Sequence, residues 1–289
     1  MGIYHSQTGR QALETWYSKG VDQLNIDIEE QWIETRYGDT HVLLAGPQDG
    51  HPVIVFHGGN TTAPMVLEWY TELATSYRLI APDTVGHPGK SAETRLDPQN
   101  DSYGEWVVDL LDAFDLSMAS MIGTSYGGGI VLRTAVLAPN RIEHAALVVP
   151  TGFGSTSLLS LGVRLGLPSI LYRIYPHEWL LNRVLAVLAT QSDLDPVVRN
   201  TIAASLRYVK LERKFPEADA SELIGFEAPT ALFVSENDPL FPADLIIPRA
   251  LKRLSRLTRI EIIYNEKHLL SPAAQRKVGM SIDDFFRHT

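Results

Sequence analysis

Apolar residues along the chain fall into short runs that alternate with longer amphipathic stretches. The runs are rich in Val, Ile, Leu and Ala, and each predicts a strand that is buried on both faces. Six such strands are predicted, at 53–56, 78–81, 119–123, 145–149, 230–235 and 259–264. Helices are predicted at 64–76, 103–115, 126–138, 243–255 and 272–287. Strands interleaved with helices are typical of a mostly parallel sheet flanked by helices, so the sequence predicts an α/β fold.

The N-terminal part of the chain predicts a helix that packs on this body. Apolar side chains recur at helical spacing over residues 8–23. Thr8 with Gln11 can form a capping box at the start of this helix.

Two extended runs precede the alternating part, at 32–36 and 41–45. Gly38 and Asp39 lie between them and predict the turn. We therefore expect an antiparallel hairpin before the first parallel strand.

One interval breaks the alternation of strands and helices. No clear strand pattern occurs between Pro150 and Pro229, where leucine-rich segments are interrupted by prolines. We interpret residues 151–228 as a helical insertion, a lid between the sixth and seventh strands. Residues 1–150 and 229–289 then form the core.

The apolar side chains of this insertion allow two interpretations. They can line a substrate pocket, or they can simply pack the insertion onto the sheet. Arg164 and Arg173 leave room for an anionic group on the substrate. The candidate pocket residues are Leu158, Leu161, Leu165, Ile170, Tyr172 and Trp179.

Charge and cysteine content exclude several classes of function. The formal net charge is -9, which disfavours binding to phosphate backbones and to anionic lipid. The chain has no cysteine, so disulfides, thiolate metal sites and cysteine nucleophiles are excluded. The N-terminus lacks the apolar core of a signal peptide, and no apolar stretch is long enough to span a bilayer. We therefore expect a cytoplasmic protein without nucleic-acid or membrane partners.

A serine between two glycines is the first candidate for chemistry. Ser125 lies in "GTSYGG", where the predicted strand 119–123 meets the predicted helix 126–138. A nucleophile on a sharp strand-to-helix turn requires this context. Side chains at positions 123 and 127 would collide in such a turn, which explains the two glycines. The G-x-S-x-G letters also arise by chance, so the interpretation depends on the strand and the helix around them.

A serine hydroxyl needs a base, and the base needs a group that orients it. His268 follows the last predicted strand, and Asp238 follows the one before it. The carboxyl ends of parallel strands gather at one edge of a sheet, so these side chains can meet Ser125 there. Glu236 and Asp244 are the competing acids.

A glycine-rich turn after the strand 53–56 can supply donors for an oxyanion. In "VIVFHGGNTT" we assign the N–H of Gly59 as one donor and the N–H of Tyr126, the residue after the nucleophile, as the other. His57 is expected to brace this loop by hydrogen bonding rather than to act in the chemistry.

The ordered set of motifs resembles the α/β-hydrolase superfamily from about Trp32 onward. "HGG", "APDTVGHPGKS", "GTSYGG", "SENDPLFP" and "KHLLSP" carry the resemblance, and "TRYGDTHVLLAGP" is similar to bacterial carboxylesterases of the naproxen-esterase type. Two positions differ from the usual pattern, because Lys267 and Ser235 stand where the superfamily generally has glycine.

The resemblance implies a serine hydrolase that cleaves small to medium hydrophobic esters through an acyl-enzyme, with a small-molecule ester as substrate and no cofactor or metal. Two alternatives stay open. One is a C–C bond hydrolase or perhydrolase with the same triad of Ser125, His268 and Asp238. The other is a ligand-binding receptor on this fold with little turnover.

Overall fold

The computed structural model describes residues 2–156, 162–212 and 214–289. One eight-stranded sheet, with the strand order β1-β2-β4-β3-β5-β6-β7-β8, runs through it. Strands β3 to β8 pair in parallel, while β2 pairs with β1 and with β4 in the antiparallel sense. The strands are β1 (Ile28–Thr35), β2 (Gly38–Ala45), β3 (His51–Phe56), β4 (Tyr77–Pro82), β5 (Ala119–Thr124), β6 (Ile142–Val148), β7 (Thr230–Ser235) and β8 (Leu257–Ile263). The predicted α/β fold with a mostly parallel sheet is confirmed.

Helices cover both faces of the sheet. In chain order they are α1 (Gln7–Gln23), α2 (Ala63–Leu67), α3 (Ser102–Ala113), α4 (Tyr126–Leu137), α5 (Leu167–Ile174), α6 (Glu178–Leu188), α7 (Pro196–Tyr208), α8 (Ala243–Arg253) and α9 (Pro272–His288). The segment 64–76, predicted as one helix, is instead the short α2 followed by a 3-10 helix, Glu68–Thr75. A kink at Tyr70 separates regular turns there, and the Tyr70 hydroxyl is hydrogen-bonded to Thr124 Oγ1 at 2.9 Å.

Two hydrophobic cores lie on opposite faces of the sheet, as the alternation of side chains along a strand requires. Ile54 and Phe56 of β3 belong to the core that contains Trp106 of α3. Val53 and Val55 of the same strand belong to the other core. These four of the six β3 side chains are fully buried, and burial of each is worth about 1.5–3 kcal/mol. Hydrophobic cores thus cover both faces of the sheet. Polar side chains that act in chemistry are therefore expected at the ends of the strands.

Two predicted details of the N-terminal part are wrong. The hairpin turn lies at Arg36 and Tyr37, because Thr35 pairs directly with Gly38. Helix α1 is capped by Ser6, whose hydroxyl accepts a hydrogen bond from the Gly9 N–H at 3.1 Å, and not by Thr8. The chain before Ser6 is tied to the end of α7 by backbone hydrogen bonds, and this tertiary contact sets where α1 begins.

Helices α5, α6 and α7 lie between β6 and β7 in the chain, where the sequence predicts a helical insertion. They share a small core of their own, which includes Tyr172, Leu181 and Ile202. Helix α7 also contacts α1. The role of residues 151–228 as a lid stays a prediction.

No helix in the described ranges has the length and apolar character that crossing a bilayer demands.

A buried histidine joins the hairpin to the parallel sheet. The Nε2 of His41 lies 2.7 Å from Glu30 Oε2, and its Nδ1 lies 3.2 Å from Asp83 Oδ2. Asp83 also accepts hydrogen bonds from the backbone N–H groups of Ala63 and Lys90, both at 3.0 Å. His41 and Asp83 are fully buried, so removal of the imidazole leaves the Asp83 carboxylate with one donor fewer and no access to water.

We expect His41→Leu to lower the free energy of unfolding by about 1–3 kcal/mol, the usual cost of leaving a buried acceptor without its hydrogen-bond donor. His51→Leu is the matched control, because His51 pairs with Glu143 at 2.5 Å with its side chain 48% exposed. An exposed pair contributes about 0–1 kcal/mol. Denaturant unfolding measures the free energy of unfolding of both variants. Equal decreases in the two variants would contradict the structural role given to His41.

Candidate active site

Ser125 occupies a strained turn between β5 and α4. Its backbone angles are φ 54° and ψ -114°, a combination that non-glycine residues rarely adopt. The Ser125 N–H donates to Val148 O at 2.9 Å, and the Ser125 carbonyl accepts from the N–H groups of Gly128 and Thr151, both at 2.9 Å. Hydrogen bonds on both sides therefore hold the serine in this conformation.

The glycines on either side of Ser125 are required by backbone contacts. A Cβ atom at Gly123 would lie 2.5 Å from Gly127 O, and one at Gly127 would lie 2.4 Å from Phe56 O. Neither obstacle is a flexible side chain, so neither can move away cheaply. The steric reason predicted for these two glycines is confirmed.

The structure brings Ser125, His268 and Asp238 together in one row of hydrogen bonds. Ser125 Oγ lies 2.9 Å from His268 Nε2, and His268 Nδ1 lies 2.7 Å from Asp238 Oδ2. Asp238 Oδ1 accepts from the backbone N–H groups of Leu240 and Phe241 at 2.8 and 3.1 Å. A carboxylate that only accepts hydrogen bonds orients the ring with its proton on Nδ1 and leaves Nε2 to accept the serine proton.

The competing acids and histidines lie elsewhere. Glu236 accepts a hydrogen bond from the backbone of Asn265 at 2.9 Å, and Asp244 lies in the first turn of α8. His144 contacts Ser120 at 3.1 Å near the start of β6, and His177 caps α6. Of the weighed candidates, Asp238 and His268 are those that meet Ser125.

The glycine-rich loop after β3 lies directly against this row. A Cβ atom at Gly58 would be 3.5 Å from Ser125 Cβ, and one at Gly59 would be 3.3 Å from the Tyr126 ring. Tyr126 is the first residue of α4, so its N–H is one of those without an acceptor inside the helix. The positive end of the α4 dipole adds to the attraction of this region for an anion.

His57 braces the loop, as predicted. Its Nε2 accepts from the Thr84 N–H at 2.9 Å, and its Nδ1 donates to the Gly58 carbonyl at 2.7 Å. The ring is fully buried, and both nitrogens are used in holding the backbone.

His87 is a second brace, for which the sequence analysis predicts no role. Its Nδ1 accepts from the Asn60 N–H at 3.3 Å, and its Nε2 lies 3.3 Å from the Tyr103 hydroxyl. The hydroxyls of Tyr103 and Tyr126 are 3.1 Å apart, and the ring centroids of His87 and Tyr126 are 4.7 Å apart. His87 therefore links the loop that follows Gly59 to the residue that follows Ser125. The motif "GHPGKS" is the only sequence signal for it.

Burial keeps both bracing histidines neutral. Desolvation lowers the pKa of His57 below its ordinary value of 6.5, and it lowers the pKa of His87 well below that value. Each ring can then accept a hydrogen bond from a backbone N–H, which an imidazolium cannot do.

A cavity of about 330 Å³ opens beside Ser125 and His268. Its wall is mainly apolar but includes Glu212, whose carboxylate lies 2.6 Å from Arg95 Nη1. The core supplies Met65, Val66, Trp69, Val149, Leu240, Phe241 and Leu269 to this wall, and the insertion supplies Leu165, Ser169, Val184, Leu188, Ile202, Ser205, Leu206, Leu211 and Phe215.

The predicted pocket residues agree with this wall only in part. Leu165 lines the cavity, whereas Ile170 and Trp179 face outward and are 58% and 56% exposed. Tyr172 is buried in the core of the insertion and does not line the cavity. Leu158 and Leu161 lie outside the described residues. Apolar residues occur on both faces of the helices of the insertion, and the sequence does not show which face turns toward the cavity.

In the described parts of the chain, no group of three or more His, Asp or Glu side chains is arranged to hold a metal ion.

The neutral histidines predict a pH-dependent stability. The unfolded chain binds protons at His57 and His87 below about pH 6.5, whereas the folded chain does so only at lower pH. Their contribution to stability is therefore complete above this pH and is lost as the pH falls toward the folded pKa values. We expect His87→Gln to reduce the slope of unfolding free energy against pH below 6.5 by up to about 1.4 kcal/mol per pH unit.

Urea unfolding between pH 4.5 and 8 measures this slope. The internal control is the difference in unfolding free energy between wild type and variant at pH 7–8, because at this pH it reports the loss of hydrogen bonds alone. A difference that stays the same across the whole range would contradict the assignment of a buried neutral His87.

Comparisons with known proteins agree with this geometry. A sequence model of the alpha/beta hydrolase fold matches residues 51–178. Carboxylesterase YbfK of Bacillus subtilis is 25% identical, with 93% of this chain and 91% of that protein aligned. The uncharacterized carboxylesterase nap of the same organism is also 25% identical, over 99% of this chain and 93% of that protein. The crystal structure of naproxen esterase from Bacillus subtilis superposes with a TM-score of 0.84 at 21% identity, covering 98% and 99% of the two chains. The observed architecture and these full-length similarities show that the chain has the α/β-hydrolase fold.

Proposed function

We propose that the protein is a carboxylesterase-type serine hydrolase that uses Ser125, His268 and Asp238 as its catalytic triad. The single observation that carries this proposal is the continuous row of hydrogen bonds, 2.9 and 2.7 Å long, that joins these three side chains. The full-length similarity to proteins named carboxylesterases supports the ester as the bond that is cleaved.

The first half of the reaction forms an acyl-enzyme. His268 Nε2 takes the proton of Ser125 Oγ while this oxygen attacks the ester carbonyl. The N–H groups of Gly59 and Tyr126 hold the negative oxygen of the tetrahedral intermediate. The C–O bond to the alcohol then breaks, and His268 passes its proton to the leaving oxygen.

The second half releases the acid. Water gives a proton to His268 and adds to the acyl carbon, and the serine oxygen leaves and takes the proton back. Asp238 stays ionised throughout and stabilises the imidazolium formed in each half. This chemistry requires no metal or cofactor.

The cavity supports esters of small to medium hydrophobic acids or alcohols. A volume of about 330 Å³ is at the small end for ligand sites, and the apolar wall gains from burying hydrocarbon. The insertion supplies much of this wall, so we include in the proposal that residues 151–228 act as a lid over the site.

A panel of p-nitrophenyl acyl esters, vinylogous diketones and a peracid-formation assay tests the reaction class. Hydrolysis of the esters supports the proposal. Preferential cleavage of the diketones or formation of peracid would instead indicate a C–C bond hydrolase or a perhydrolase. Absence of turnover, together with absence of labelling by a fluorophosphonate, would indicate the receptor alternative.

We expect Ser125→Ala to lower ester kcat by about 10³-fold or more, since loss of a triad serine has costs of at least this order. Ser120→Ala is the matched control, because Ser120 is a buried serine of β5, the strand that precedes Ser125, and it contacts His144 rather than the triad. Steady-state kinetics of both variants gives the result. A Ser125→Ala protein that keeps most of the wild-type kcat would refute the assignment.

A further inference from the structure

The insertion is bonded to the chain on both sides of His268. The Lys267 N–H donates to Thr190 Oγ1 at 2.8 Å, and the Leu269 N–H donates to the Leu188 carbonyl at 2.9 Å. The Thr190 N–H returns a hydrogen bond to the Leu269 carbonyl at 3.4 Å. The residues before and after the histidine are therefore both fixed to the same short segment.

The side chain of Lys267 makes a further contact with this segment. Its Nζ donates to the Ala186 carbonyl at 2.6 Å, near the C-terminal end of α6. Carbonyl groups in the last turn of a helix receive no hydrogen bond from an N–H of the same helix. They also lie at the negative end of the helix dipole, and this position attracts a cation such as the Lys267 ammonium group. A residue without a long side chain at position 267 could not make this contact.

The same segment belongs to the cavity wall. Leu188 and Leu269, which are joined by a backbone hydrogen bond, both line the cavity together with His268. The contacts that fix the histidine loop and the contacts available to a substrate thus involve the same residues.

We propose that residues 186–190 and Lys267 form a clamp that positions His268, so that Lys267 is a positioning residue for the reaction. This inference rests on the proposed function, because it assigns Lys267 the task of holding the base within reach of Ser125. It also makes the insertion part of the catalytic geometry as well as part of the substrate wall.

Four variants test the clamp. Lys267→Met removes the charged donor, Lys267→Arg keeps it, and Thr190→Val removes the hydroxyl acceptor while keeping the shape of the side chain. Lys277→Met is the matched control, because Lys277 is an exposed lysine of α9.

We expect Lys267→Met and Thr190→Val each to lower kcat and kcat/KM by about tenfold with KM nearly unchanged, since small displacements of a catalytic base affect the transition state alone. Lys267→Arg and Lys277→Met should keep wild-type kcat. Melting temperatures of all four variants should stay close to that of the wild type. Losses of kcat that scale with losses of melting temperature would show a role in stability only and would overturn the proposal.

A second measurement does not depend on turnover. The proton between His268 Nδ1 and Asp238 can be followed by NMR of protein labelled with ¹⁵N-histidine. We expect this signal to shift or broaden in Lys267→Met and Thr190→Val and to stay unchanged in Lys277→Met. If the wild type hydrolyses no ester, the proposed function fails while this spectrum still decides the clamp. An unchanged signal in both clamp variants would overturn the inference.

Discussion

The left-handed backbone at Ser125 is the constraint on which the rest of the site depends. A residue with a side chain adopts φ 54° only when its surroundings compensate for the strain. Here the compensation comes from hydrogen bonds to Val148, Gly128 and Thr151, which belong to the neighbouring strand, to α4 and to the start of the insertion. Because the turn is so tight, positions 123 and 127 have no room for a side chain and require glycine. The same turn brings the N-terminus of α4 next to the Ser125 hydroxyl.

The parallel sheet supplies the second requirement, which is that distant parts of the chain meet at one place. Gly58 follows β3, Ser125 follows β5, Asp238 follows β7 and His268 follows β8. In parallel strands these ends point to the same edge, and both faces of the sheet are already occupied by hydrophobic cores. Polar groups that would be costly inside the cores are thus collected at one edge, where loops of different lengths can orient them.

The sequence predicts those features that are local or that follow from the topology. The buried strands, the serine turn and the positions of Asp238 and His268 after successive strands are of this kind. The cap of α1 and the kink at Tyr70 are not, because both lie where the chain contacts distant residues, α7 in one case and Thr124 in the other. The sequence likewise does not predict which residues form the cavity wall, since helix α5 turns Ser169 inward and Ile170 outward. His87 and Lys267 acquire their contacts only through tertiary structure.

The two departures from the superfamily pattern are accommodated in different ways. The Ser235 hydroxyl is buried and has no hydrogen-bond partner among the described protein atoms. That residue nevertheless ends β7 with its backbone paired to β8, so the loop that carries Asp238 begins from a fixed point. Lys267 adds contacts with the insertion that glycine would lack. One departure therefore leaves the start of the acid loop in place, while the other ties the base to the helices that surround the cavity. His268 therefore keeps its 2.9 Å contact with Ser125 and its 2.7 Å contact with Asp238 although Ser235 and Lys267 stand at these two positions.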